Sequence, residues 1–77
     1  MRTYNMTDAI YREMAKSAER YGTCYWDCIE LEDGCVVTFA LDNGRPYEVE
    51  VYDEEDCRIE HDFSLLKFEN VVNKRNS

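Results

Sequence analysis

The stretch Tyr25-Trp26-Asp27-Cys28-Ile29-Glu30-Leu31-Glu32-Asp33-Gly34-Cys35-Val36-Val37-Thr38-Phe39-Ala40-Leu41 decides the fold. Apolar residues recur at every second position on both sides of Asp33-Gly34, the pattern of two half-buried strands joined by a turn. A two-residue loop at Asp33-Gly34 would pair Leu31 with Val36 and set the two apolar series on opposite faces. A three-residue loop, Glu32-Asp33-Gly34, pairs Leu31 with Cys35, Ile29 with Val37 and Asp27 with Phe39. The apolar series then coincide, and Gly34 supplies the left-handed residue such loops need. The sequence predicts the three-residue loop.

Downstream, Asp42-Asn43-Gly44-Arg45-Pro46 is the next turn, and it leads into a third strand with Tyr47, Val49 and Val51 on the apolar side. The same reasoning sets Leu41 opposite Tyr47 and Phe39 opposite Val49. Tyr25, Ile29 and Leu31 complete that face. The reverse face then carries Trp26, Cys28, Glu30, Val36, Thr38, Ala40, Glu48, Glu50 and Tyr52. After the acidic turn Asp53-Glu54-Glu55-Asp56, the segment Cys57–His61 reads as a short fourth strand.

Helices flank the strands. Thr7 or Asp8 caps one running to about Tyr21, where Gly22 stops it. Ile10, Met14, Ala18 and Tyr21 form its apolar stripe, widened by Tyr11 and Ala15. The C-terminal segment reads two ways: Phe63–Phe68 alternates weakly as a strand, but a second helix from Asp62 or Ser64 to about Asn73 is favoured, with Leu65, Phe68 and Val72 inward and a frayed Asn73–Ser77 tail. The expected fold is α+β: a two-layer sandwich in the order helix, three or four antiparallel strands, helix, forming one small domain over residues 1–77.

Charge is distributed unevenly along these elements. Residues 27–62 hold thirteen acids against Arg45 and Arg58, a balance of −11, while residues 1–26 sum to +1 and 63–77 to +2, giving the net −8. So acidic a chain is unsuited to direct contact with nucleic acid or anionic lipid, whose phosphates are met by Lys and Arg. The longest nearly apolar run, Cys35–Leu41, is far below the ~20 residues of a membrane-spanning helix. The N-terminal residues lack the apolar core of a secretory signal, so a cytoplasmic location is expected.

Catalytic and metal chemistry find little support. Cys24, Cys28, Cys35 and Cys57 contain no C-x-x-C pair, and His61 is the sole histidine, so the common zinc spacings are missing. Strand alternation puts Cys24 and Cys28 on the outer face and Cys35 and Cys57 on the core face, which prevents convergence on one ion. Cys24 and Cys28 would also stand about 13 Å apart, too far for a disulfide. The Asp53–Asp56 run lacks the alternating acids and glycine of an EF-hand, and reads as a solvated turn. His61, Asp62 and Ser64 are triad residue types, but sequence neighbours do not make triad geometry. No phosphate-binding glycine loop is present. The chain is therefore expected to be non-enzymatic and without cofactor or metal.

The double-stranded RNA-binding domain has the same helix, three strands, helix order, but the charge here has the wrong sign for that function. In size, acidity and element order the chain resembles the small acidic proteins of phages and mobile elements that block restriction or CRISPR nucleases. That resemblance belongs to the whole chain and not to individual residues. It implies an inhibitor whose carboxylates occupy a basic groove built for phosphates. On the residues themselves, Trp26 on the open sheet face, with Glu30, Glu48, Glu50 and Tyr52 around it and the Asp53-Glu54-Glu55-Asp56 turn alongside, is the expected contact surface for a basic protein partner. The rival expectation is structural: a homo-oligomer, in its simplest form a homodimer, or an accessory subunit joined through the Trp26 face.

Overall fold

The structure, a computed structural model, describes residues 3–76. It is α+β, with two helices and a five-stranded mixed sheet. In chain order the elements are β1 (Thr3–Tyr4), α1 (Asp8–Tyr21), β2 (Cys24–Glu30), β3 (Val36–Asp42), β4 (Arg45–Tyr52), β5 (Arg58–His61) and α2 (Leu65–Asn76). The sheet order is β1-β5-β4-β3-β2, with β1 parallel to β5 and the other pairs antiparallel. The expectation of three or four purely antiparallel strands is thus corrected by β1. Two residues are too few to show periodicity, and their pairing depends on a partner near the other end of the chain. Met6 N–H donates to Asp62 Oδ1 at 2.7 Å and Asp62 N–H donates to the Tyr4 carbonyl at 3.2 Å, which ties β1 to the end of β5.

Helix α1 begins and ends as its caps dictate. Thr7 is extended and its hydroxyl accepts from Ile10 N–H at 3.4 Å; Gly22, at φ 65°, donates to the Ala18 carbonyl at 2.8 Å. Helix α2 starts at Leu65 because Ser64 caps it, its Oγ accepting from Lys67 N–H at 3.3 Å. It continues through Asn73 to Asn76, past the expected end; Ser77 lies outside the described residues.

The core joins Ile10, Tyr11, Met14 and Ala15 of α1 and Phe68 of α2 to Val37, Phe39 and Leu41 of β3 and Val51 of β4. Burying side chains of this size stabilises by roughly 1.5–3 kcal/mol each. Leu65 and Tyr21, expected inside, are exposed. Val72 packs against the core as expected, and Val71 joins it there in place of Leu65.

Register was decisive for the β2–β3 hairpin and holds: Ile29 pairs with Val37 and Asp27 with Phe39, and Leu31 N–H donates to the Cys35 carbonyl at 2.9 Å. Farther along β2 the register shifts by one. Cys24 faces Leu41, so Tyr25 and Trp26 together oppose the single residue Ala40. In β4, Val51 and Glu50 face Val37 and Thr38, but Tyr47 faces Ala40 and Pro46 faces Leu41. The extra β4 residue is Glu48, at φ 50°.

These two bulges have a common consequence: they reverse the facing of every residue beyond them. Cys24 turns toward the core, while Tyr25 (83% exposed) and Tyr47 (44% exposed) turn out. The expected pairing of Leu41 with Tyr47 fails because Asn43 and Gly44, at φ 52° and 78°, close a two-residue turn between Asp42 and Arg45. Such a tight turn shortens the loop by the residue that Glu48 restores.

Candidate functional site: the outer sheet face around Trp26

On the even-numbered side of β3, cross-strand pairing lays residues out in rows. One row runs Glu30, Val36, Tyr52, Arg58; the next runs Cys28, Thr38, Glu50; a third joins Tyr25 and Trp26 to Ala40 and Tyr47. Trp26 is 42% exposed, whereas Ala40, small and central in its row, is buried. Tyr25 stands edge-on to Trp26, with ring centroids 6.0 Å apart and planes at 87°, an arrangement the ring quadrupoles favour.

A shallow depression of about 430 Å³ lies on this face, lined by Trp26, Asp27, Cys28, Thr38, Glu50 and Tyr52. Its volume falls in the range of ligand pockets, ~300–1,000 Å³. Glu50 is one of its lining acids. The Tyr52 hydroxyl donates to Glu50 Oε2, and Arg58 Nη1 stands 3.6 Å from Glu50 Oε1. The Tyr52 phenol is held above its usual range, chiefly because that hydrogen bond to Glu50 favours the protonated form. Asp27 Oδ1 accepts from Cys28 N–H at 2.8 Å. Cys28 forms a non-hydrogen-bonded pair with Thr38, so this N–H points away from β3, and the carboxylate covers part of the sheet's free edge.

The remaining acids lie apart from this depression. Glu30 is two strands from Tyr52 in the same row, about 10 Å at strand spacing. It also lines a wider groove of about 900 Å³ between α1 and β2, where Lys16 and Arg20 of the helix face Asp27 and Glu30 of the strand. Glu48 is exposed at its bulge. Asp53 organises the β4–β5 turn, its Oδ1 accepting from Glu55 N–H and Cys57 N–H, both at 2.9 Å. Glu54, Glu55 and Asp56 project from that turn, exposed. Along β3, the turn is four residues from the Trp26 row, about 13 Å at strand rise.

This turn has an acidic neighbour. Gly34 in the β2–β3 turn lies so close to Glu54 that a β-carbon there would stand 3.1 Å from Glu54 Cβ. Glu32 and Asp33 therefore join Glu54 at one end of the sheet. Asp33 is fixed there: Oδ1 accepts from Cys35 N–H at 3.0 Å and Oδ2 from the Tyr4 hydroxyl at 3.1 Å. The bond from Cys35 N–H is the main reason its carboxyl titrates below the ordinary value.

The residue types of a catalytic triad are otherwise engaged. Phe63 N–H donates to His61 Nδ1 at 3.2 Å, so Nε2 carries the proton and donates to the Val49 carbonyl at 2.8 Å. Asp62 holds Met6 and Ser64 caps α2. Among the described residues no three His, Cys, Asp or Glu side chains gather to hold a metal ion, and no buried side-chain nitrogen or oxygen lacks a partner. None of the four cysteines forms a disulfide; Cys35 and Cys28 lie on the expected faces, and Cys24 and Cys57 do not. Cys35 is buried, Cys24 packs against the core after the bulge, and Cys28 and Cys57 are exposed. Cys57 leaves the core face because it belongs to the turn before β5.

Sequence reasoning had no signal for Tyr25 and Tyr47 on the outer face, since both positions read inward until the bulges reverse them. The glutamate–arginine pair across β4 and β5 follows from a register fixed only by the Asp53–Asp56 turn. Among the described residues no helix is long and apolar enough to cross a membrane. Searches against protein-family models, curated proteins and solved structures return no match.

Proposed function

We propose that this chain is a non-enzymatic, acidic protein-binding module whose outer sheet face engages a basic partner. The observation that carries this reading is the exposed Trp26, set beside Glu50 and Tyr52 in a shallow depression on the sheet face opposite the core residues Val37, Phe39 and Leu41. An aromatic centre with a charged rim is how interface hot spots are built. In this reading the domain is a two-layer sandwich, with both helices on one side and the binding face on the other. The paired acidic turns at Glu32-Asp33 and Asp53–Asp56 extend the negative surface toward one end.

A closer form of the same proposal follows from the charge. Carboxylates spaced along strands and turns substitute for phosphates in a basic groove, as in inhibitors that compete with nucleic acid. Immobilised protein would be exposed to purified basic nucleic-acid-binding proteins at about 0.05 M and about 0.5 M salt, with and without duplex DNA. Capture that falls steeply with salt and is displaced by DNA supports the mimic. Capture indifferent to both excludes it.

The second reading, assembly through the Trp26 face, is favoured by a separate observation: Tyr25, Trp26 and Tyr47 gather in one cross-strand row, all exposed. Mass in solution for the wild type and Trp26→Ala separates the two readings. A dimer that the substitution dissociates supports assembly, and a monomer in both cases leaves the face to another partner.

A further inference from the structure

The depression beside Trp26 has a chemistry of its own. Two aromatic side chains, Trp26 and Tyr52, share its lining with the Glu50 carboxylate, with Thr38 and Cys28, and with Asp27, whose own carboxylate is held by Cys28 N–H at the free edge of β2. Among the described residues no cationic side chain lines it. Aromatic faces attract cations through their quadrupole, and adjacent carboxylates add directional acceptors.

We propose that this depression is a subsite for the guanidinium of a partner's arginine, stacked against Trp26 and hydrogen-bonded by Glu50. The inference rests on the reading of the outer face as a surface for a basic protein, and specifies which group that protein inserts. Arginine is favoured over lysine for two reasons. A planar guanidinium stacks on indole while its N–H groups reach carboxylates at the edge, which a compact ammonium cannot match. In addition, Glu50 already takes a guanidinium: Arg58 Nη1 lies 3.6 Å from its Oε1. The Arg58 side chain is 69% exposed, and so open a pair is weak enough for an incoming arginine to displace.

Trp26 is the chain's single tryptophan, so its emission reports on the site directly. The full chain would be titrated with an acetylated tri-arginine amide and, at matched charge, with tri-lysine, by fluorescence and by calorimetry. The expected result is a saturable change in Trp26 emission, with the arginine peptide bound at least about fivefold more tightly. Glu50→Gln and Trp26→Ala, each checked for an unchanged circular dichroism spectrum, are expected to abolish that preference in calorimetry. Trp26→Phe, which retains an aromatic face, should keep part of it. Equal binding of the two peptides, or a preference that survives both Glu50→Gln and Trp26→Ala, overturns the subsite. Salt-sensitive capture of basic proteins that persists in those variants would leave the broader function standing while removing the arginine site.

Discussion

Gly34 and Glu54, on two different turns, lie against each other: a β-carbon added at Gly34 would stand 3.1 Å from Glu54 Cβ and 3.9 Å from its Cα. The relationship brings the Glu32-Asp33-Gly34 and Asp53–Asp56 turns together, against the mutual repulsion of their acids. Gly34 also sits at φ 88°, a backbone region that costs an L-residue about 1–2 kcal/mol. Gly34→Ala combines both penalties, and is expected to destabilise by about 1–3 kcal/mol. Gly44→Ala is the control, since Gly44 has φ 78° but no atom near its missing β-carbon. In urea denaturation Gly34→Ala should cost more; equal costs would mean the turns are not in contact.

Tyr11 links the two helices, its hydroxyl accepting from Ser64 N–H at 3.0 Å. Burial raises its phenol above 10.0, the hydrogen bond from Ser64 opposing in part. A raised folded-state value means stability that is present below the unfolded value and lost as pH climbs through the folded one. Thermal melts from about pH 9 to pH 12 should therefore fall more steeply for wild type than for Tyr11→Phe. At neutral pH the phenylalanine variant should be about 1 kcal/mol less stable, through the lost hydrogen bond.

Asp33 makes the opposite linkage. Its carboxyl lies below 3.8, first because Cys35 N–H donates to it. The stabilisation is present above the unfolded value and disappears as pH drops through the folded one. Carbon-detected NMR titration should place the Asp33 midpoint below 3.8, and Asp33→Asn should abolish its part of the acid dependence. A midpoint at or above the ordinary value would contradict the turn geometry.

Glu48 occupies the left-handed region at φ 50° without being glycine. Asparagine tolerates that region better than glutamate. Glu48→Asn is therefore expected to be neutral or stabilising by up to about 1 kcal/mol. A destabilisation beyond that, in urea melts, would argue that β4 has no bulge there.

The cysteines give a chemical readout of the two faces. Cys28 and Cys57 are exposed and should react with a thiol reagent in the native state, while Cys35, fully buried, should react only on unfolding. Cys24 should be intermediate, its thiol donating to the Trp26 carbonyl at 3.2 Å. Fast labelling of Cys35 in peptide mapping would overturn the core assignment.

Much of the fold was legible because local chemistry and periodicity agreed. The Thr7 and Gly22 caps bounded α1, and the alternation around Glu32-Asp33-Gly34 selected the loop that Ile29–Val37 pairing requires. The candidate site was legible in part. Trp26, Glu50 and Tyr52 meet in one depression, yet Asp27 and Thr38 join them, Glu48 stands apart at its bulge, and the Asp53–Asp56 turn lies farther along the sheet.

The sequence by itself determined helix α1, the central β2–β3 register and the concentration of acids between residues 27 and 62, because each depends on near neighbours. Tertiary structure decided the rest. A bulge is one residue with no periodic signal, yet it reverses every side chain beyond it, which is why Tyr25 and Tyr47 turn outward and Cys24 turns in. The two-residue β1 has too little local stability to be read, and exists through its pairing with β5 and the Met6–Asp62 hydrogen bond. What converts a bulk charge into a surface with an aromatic centre is strand pairing across the sheet, and no property of a single segment contains it.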